Sequence, residues 1–186
     1  MSDIVILSGS PSEVSRSELV LKHLGELLKE VGFSVSHISV RDVPQEDLFL
    51  GKYDSDAIAE ISTLIHGAKG VIVGSPVYKA AYSGVLKALI DLLPQDVLQD
   101  TPVLPLMTGG SSAHLLALEY TLKPLLATLK GQNLKGVYLV DSQIDKTNPA
   151  KPIIDQDVEQ RIQKQVEYFS EIIERRKADL VVGQKV

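Results

Sequence analysis

The sequence predicts a three-layer, doubly wound α/β fold on five parallel strands in the order 2-1-3-4-5. Two observations carry this expectation. Five short β-branched runs alternate along the chain with segments of helical periodicity, and parallel strands joined in this way need right-handed helical crossovers. Two of those runs, Ile4-Val5-Ile6-Leu7 and Val71-Ile72-Val73, are apolar without interruption, as strands covered by helices on both faces must be.

The strands are expected at 4–7, 34–40, 70–73, 103–107 and 136–140. Val20, Leu21, Leu24, Leu27, Leu28 and Val31 recur at three- and four-residue spacing and mark the first helix, which Gly32 ends. Ile58, Ile61, Leu64 and Ile65 mark a second over 56–66, with Asp54 or Ser55 as its cap and Gly67 at its end. A third over 83–93 is stopped by Pro94, and a fourth covers 113–130. The fifth starts at an Asp155 cap and runs through Val158, Ile162, Val166, Phe169 and Ile173 to the basic Arg175-Arg176-Lys177, which suits a helix C-terminus. Residues 1–177 thus read as a single domain and 178–186 as a loose C-terminal tail.

Composition removes several functions. Nineteen Lys and Arg against twenty-four Asp and Glu give a net charge of −5, which disfavours a nucleic-acid partner. The chain has no cysteine, so disulfides, thiolate zinc sites and cysteine nucleophiles are excluded. Met1-Ser2-Asp3 carries no basic region, and the apolar stretches break well before the roughly 18 residues a membrane span requires. A cytoplasmic protein without a membrane partner is expected. The triphosphate-binding G-x-x-x-x-G-K-[ST], the dinucleotide G-x-G-x-x-G, the G-x-S-x-G elbow and H-E-x-x-H are all missing. The four histidines, at 23, 37, 66 and 114, are scattered. No metal site is expected, and His114, though beside a candidate loop, reads as structural.

In an open parallel sheet, ligands bind outside the carboxyl ends of the strands. The loop after the first strand, 8–17, is rich in Gly and Ser and contains Arg16. Such a turn aims N–H groups, hydroxyls and a helix N-terminus at a phosphate. Ser15 and Glu18 also have capping-box spacing, which by itself explains two of these residues and sets a carboxylate near the same helix end. The loop after the third strand offers Pro76 as a rigid turn and Tyr78 and Tyr82 as flat faces. After the fourth, Thr108-Gly109-Gly110-Ser111-Ser112 lets backbone approach a ligand edge; a plain glycine turn before a serine cap has the same pattern. Together these loops outline a site for a flat heterocycle carrying a terminal phosphate, which FMN fits.

The residues also resemble the NADPH-dependent FMN reductases of the flavodoxin-like superfamily, over about 3–142. Gly9-Ser10-Pro11 with Ser15-Arg16-Ser17 is similar to that family's phosphate loop. A more specific block is Pro76-Val77-Tyr78-Lys79-Ala80-Ala81-Tyr82-Ser83-Gly84 with Leu86-Lys87 and Asp91-Leu92-Leu93-Pro94. Leu104-Pro105-Leu106, Thr108-Gly109-Gly110, Ala113-His114-Leu115-Leu116-Ala117 and Tyr120-x-Leu122-Lys123-Pro124 extend the likeness. The resemblance implies that Ser10, Ser15, Arg16 and Ser17 bind the FMN phosphate. It also implies that Pro76, Val77 and Tyr78 line the ribityl and ring region, and that Thr108, Gly109, Gly110 and Ser111 meet the isoalloxazine edge. Ser12 stands where relatives often carry Arg. The implied activity is hydride transfer from NADPH to FMN with no catalytic side chain. The implied role is to supply reduced flavin to a monooxygenase in sulfonate sulfur acquisition. An FMN-containing quinone or azo-dye reductase and a flavodoxin-like electron carrier are the alternatives.

Pro124 falls inside the expected fourth helix, lacks an N–H and would clash with the carbonyl of Tyr120, so a kink or π-bulge is expected there. The resemblance links such a distortion at Tyr120 to subunit contacts and flavin release. Leu115, Leu116, Leu118, Leu122, Leu125, Leu126 and Leu129 cover too many faces for a helix with one wet side. A homodimer or homotetramer is expected.

Overall fold

The computed structural model describes the backbone of residues 2–183 and the side chains through residue 176. Strands β1 (Ile4–Ser8), β2 (Val35–Ser39), β3 (Gly70–Pro76) and β4 (Pro102–Gly109) are parallel and lie in the order β2-β1-β3-β4. The place beyond β4 is shared by two segments, β5 (Gln132–Asn133) and β6 (Val137–Val140), both parallel to β4. The expected order 2-1-3-4-5 therefore holds, with the fifth strand split.

The split has a local cause. Val103 pairs with Asn133 and Leu106 with Val137, which leaves Leu104 and Pro105 opposite Leu134, Lys135 and Gly136. The carbonyls of Thr101 and Val103 accept from Gln132 and Leu134, so the next position of β4 facing this ladder is Pro105, which has no N–H to give. The extra residue is accommodated as a bulge, with Gly136 at φ +83 against the Pro105 ring and carbonyl.

Alternate residues of each strand point into two cores. Val5, Leu7, Val71, Val73, Val103 and Met107 face one layer, and Ile4, Ile6, Ile72, Leu104 and Leu106 the other. The second layer is made by α1 (Arg16–Glu30) and α6 (Gln156–Gly183), which present Val20, Leu21, Leu24 and Leu28, and Val158, Ile162, Val166 and Phe169. The first is made by α3 (Asp56–His66), α4 (Gly84–Ile90) and α5 (Lys123–Thr128). Ser55, one of the two expected caps, accepts from the Ile58 N–H at the start of α3, and Asp155 accepts from Asp157 and Val158 at the start of α6. His23 Nε2 lies 2.9 and 3.1 Å from the two Glu159 oxygens and joins α1 to α6. The short α2 (Gln45–Leu50) has no counterpart among the expected helices. The tail expected at 178–186 is helical in backbone through Gly183, and 184–186 lie outside the described residues. Among the described residues no helix is long and apolar enough to cross a membrane.

The expected fourth helix is not continuous. Ser112–His114 form a 3-10 turn, Leu118–Leu122 a π turn, and only then does α5 begin. Across the π turn the Lys123 N–H reaches back five residues to the Leu118 carbonyl, the wider spacing by which a helix absorbs a proline's missing donor and ring. The distortion expected at Tyr120 and Pro124 is therefore present.

Glu18 ties α1 to the first two strands. It is 1% exposed, accepts from Ser8 Oγ at 2.5 Å, and lies 2.9 Å from His37 Nε2 and 3.8 Å from both Lys22 and Arg41. Burial pushes its pKa up, but the hydrogen bonds from His37 and Ser8 and the charges of His37 and Lys22 outweigh this and hold it below the ordinary value. Ionised Glu18 thus favours the folded state above that value, and the contribution fades as pH falls through the lowered pKa. Glu18→Gln is expected to cost about 2 kcal/mol at neutral pH, the scale for a buried charged hydrogen bond. Urea unfolding should show this gap from the native sequence closing as pH drops below 4.5.

Candidate active site

Three loops leave the carboxyl ends of β1, β3 and β4, and hydrogen bonds hold them side by side. The Gly9 N–H donates to the Gly74 carbonyl at 2.7 Å. Ser83 caps α4, accepting from the Leu86 N–H, and its hydroxyl donates to the Gly9 carbonyl. Ser75 Oγ accepts from the Ser83 N–H at 2.9 Å, so the first two loops share one buried seam. The Val77 N–H donates to the Thr108 carbonyl at 2.7 Å and joins the second loop to the third.

Within the first loop, Ser10 is buried and both donates to the Ser12 carbonyl and accepts from the Ser12 N–H. Ser15 caps α1 by accepting from the Glu18 N–H at 3.1 Å, and its hydroxyl lies 3.2 Å from that of the buried Ser17. Only half of the expected capping box forms. The Glu18 carboxylate turns to Ser8 and His37 instead of its own helix start, because the strand side offers a hydroxyl and positive charge. Arg16 reaches Asp141, after β6, at 3.5 Å, while its Nε is buried without a partner. Hydroxyls, a helix N-terminus and an orphaned guanidinium N–H form a donor set that fits a phosphate.

In the second loop Pro76 ends β3, Val77 is half-buried and Tyr78 is 48% exposed. In the third, Thr108 and Gly109 are buried and Gly110 is open to solvent. A Cβ on Gly109 would lie 2.6 Å from Tyr138 Oη, so only glycine lets this strand end pass the phenol. Tyr138 Oη donates to the Ser111 carbonyl, and burial together with the charge of Asp141 raises its pKa. Ser111 in turn accepts from the Ala113 N–H. The eleven residues expected to meet the ligand, from Ser10 to Ser111, thus lie on these three loops or on the strand and helix ends that flank them, and Gly110 has open space beside it. Tyr120 is apart from them on the π turn, 75% exposed, and His114 is exposed at the third loop's end.

Sequence reasoning passed over Ser75, Ser83, Tyr138 and Asp141. Ser83 carried a signal, since Ser before Gly84 and an apolar run is a helix cap. Asp141 carried a weaker one, as an acid directly after a strand at the ligand edge. Nothing local marks Ser75 or the reach of Tyr138 to Ser111.

Comparison with known proteins identifies the family. A family model described as NADPH-dependent FMN reductase matches residues 2–146. An FMN reductase (NADPH) of Pseudomonas putida is 41% identical over 182 residues, covering 97% of this chain and 92% of that protein. An FMN reductase (NADPH) of Escherichia coli is 41% identical over 174 residues, covering 93% and 91%. The likeness therefore continues beyond 142, where the sequence motifs faded. The apo structure of an NADH:FMN oxidoreductase, EMOB, matches with a TM-score of 0.78 at 34% identity, covering 91% of this chain and 88% of that one. The chain belongs to the NADPH-dependent FMN reductases, an oxidoreductase family whose cofactor and reductant are FMN and NADPH.

Proposed function

We propose that this chain transfers hydride from NADPH to FMN bound across the three loops, and that the reduced flavin leaves to serve a monooxygenase of sulfonate sulfur acquisition. The observation that carries the site is Arg16, whose buried Nε lacks an acceptor among the described residues and stands at a helix start beside Ser15 and Ser17. These groups, with Ser10, hold the flavin phosphate. Pro76, Val77 and Tyr78 flank the ribityl chain and ring, and Thr108, Gly109, Gly110 and Ser111 lie along the ring edge.

Bound FMN supplies the hydride acceptor, so the chain needs no acid or base of its own. Its part is to orient the ring and to set backbone donors where charge develops on hydride arrival. Gly109 and Gly110 suit that task because their backbone is approachable, and donors fixed in advance cost no reorganisation during the reaction.

Release of the flavin is supported by the open edge on which these residues lie. The sulfonate setting is supported by the resemblance that the block 76–94 carries and by the π turn at Tyr120, where that resemblance implies a distortion. Leu115, Leu116 and Tyr120 are 50%, 58% and 75% exposed, an apolar surface that a second copy of the chain covers in a homodimer or homotetramer. A cytoplasmic location suits this partnership.

Three outcomes test the reading. Arg16→Gln, and Ser10→Ala combined with Ser17→Ala, should each weaken FMN binding tenfold or more, since a charged hydrogen bond contributes about 1.5–3 kcal/mol; titration by flavin fluorescence quenching measures it. NADPH oxidation followed at 340 nm should require free FMN and scale with it, whereas turnover only with bound flavin and an added quinone or dye would identify the alternative reductase. Light scattering at micromolar concentration should give a dimer or tetramer, and a monomer would remove the role assigned to Leu115, Leu116 and Tyr120.

A further inference from the structure

At the tip of the second loop, two consecutive non-glycine residues hold left-handed backbone. Tyr78 and Ala81 exchange both backbone hydrogen bonds, at 2.8 and 3.1 Å, and close a two-residue turn with Lys79 at φ 51 and Ala80 at φ 64. Turns of this kind favour Asn-Gly, because a Cβ in both central positions is strained. Strain of this sort persists where surrounding structure enforces it, and it clusters at ligand clamps. Here the stem is fixed on both sides, by Val77 on the Thr108 carbonyl and by Ser83 on the Gly9 carbonyl.

The turn carries Lys79 out from this stem. Lys79 is exposed and has no carboxylate partner among the described residues, while the site's other loop cation, Arg16, pairs with Asp141. Residues 74–84 and 108–118 contain no Asp or Glu. The second loop therefore bears a positive charge with no carboxylate partner among the described residues, although the chain as a whole carries −5. The first loop already has donors for the flavin phosphate. A charge on the second loop is left for the other anionic substrate.

We propose that Lys79, held out by the left-handed Lys79–Ala80 turn, binds a phosphate of the pyridine nucleotide and sets the affinity for NADPH. This rests on the reading of the chain as a reductase that takes FMN and NADPH. The pyrophosphate and the 2′-phosphate offer the same chemistry to an ammonium group, and comparison of NADPH with NADH separates them.

The test is steady-state kinetics of Lys79→Gln and Lys79→Arg at saturating FMN, with FMN affinity titrated separately. Lys79→Gln should raise the KM for NADPH about tenfold, leave kcat within about twofold and leave FMN affinity unmoved, as expected for loss of one charge-assisted contact. Lys79→Arg should recover most of the loss. The difference should shrink as added salt screens the exposed charge. A rise in KM for NADPH alone assigns the 2′-phosphate, and a rise for both nucleotides the pyrophosphate. An unchanged KM for NADPH, or a loss of FMN affinity in step with it, would overturn the proposal. Failure of the unmodified protein to oxidise NADPH with free FMN would instead overturn the reductase reading beneath it.

Discussion

The ligand edge depends on how Gly9 is held. Its N–H is bound by the Gly74 carbonyl, its carbonyl by the Ser83 hydroxyl, and an ideal Cβ on it would lie 2.8 Å from Leu86 Cβ. One residue thus fixes the start of the first loop against the end of β3 and against α4. The first loop can then be rich in small flexible residues without being loose, because both of its ends are set: at Gly9 by the seam and at Ser15 by the cap on α1. Ser75 extends the same seam into the second loop. Preorganisation here comes from buried hydroxyls that bridge backbone of different loops, in place of a closed cavity.

Charge is arranged with similar economy. An acidic chain that binds anionic substrates must keep carboxylates away from the site, and Glu18, at the N-terminal turn of α1, is the hardest case. The fold turns its side chain under the loop into a pocket with Ser8, His37, Lys22 and Arg41. Its negative charge is compensated on the strand side of the helix, and its carboxylate takes no N–H of the first turn. Asp141 plays the opposite part, since it stands close enough to Arg16 to orient the guanidinium while leaving Nε without an acceptor.

Much of this was legible in the sequence because it is local. Continuous apolar runs reported the central strands, and three- and four-residue spacing reported α1, α3 and α6. Pro124 reported the π turn, since a proline's missing donor has the same effect in any helix. What stayed hidden depends on partners distant in sequence. Pro105 and 134–136 lie about thirty residues apart, a separation the pairing of Val103 with Asn133 shows directly, so the split of the fifth strand could not be read from either segment. Glu18 had the spacing of a capping box, and only the arrival of His37 and Ser8 decides that it does not close one. The helix α2 has six residues, too few to show a period. The Lys79–Ala80 turn lacks the glycine or asparagine that announces left-handed backbone.

That last silence carries physical content. A turn that could form without strain from Asn-Gly is built here from residues with side chains, between Tyr78 on one side and the cap of α4 on the other. The hydrogen bonds between Tyr78 and Ala81 must therefore offset the strain of the tip, and the stem they form is anchored by the same pair of contacts, Val77 to Thr108 and Ser83 to Gly9, that aligns the three loops. The alignment of the three loops and the projection of Lys79 are consequences of one set of bonds. Loosening the seam would release the turn as well, so the sites proposed for the flavin and for its reductant share one support in the fold and need no contact between Lys79 and the first loop.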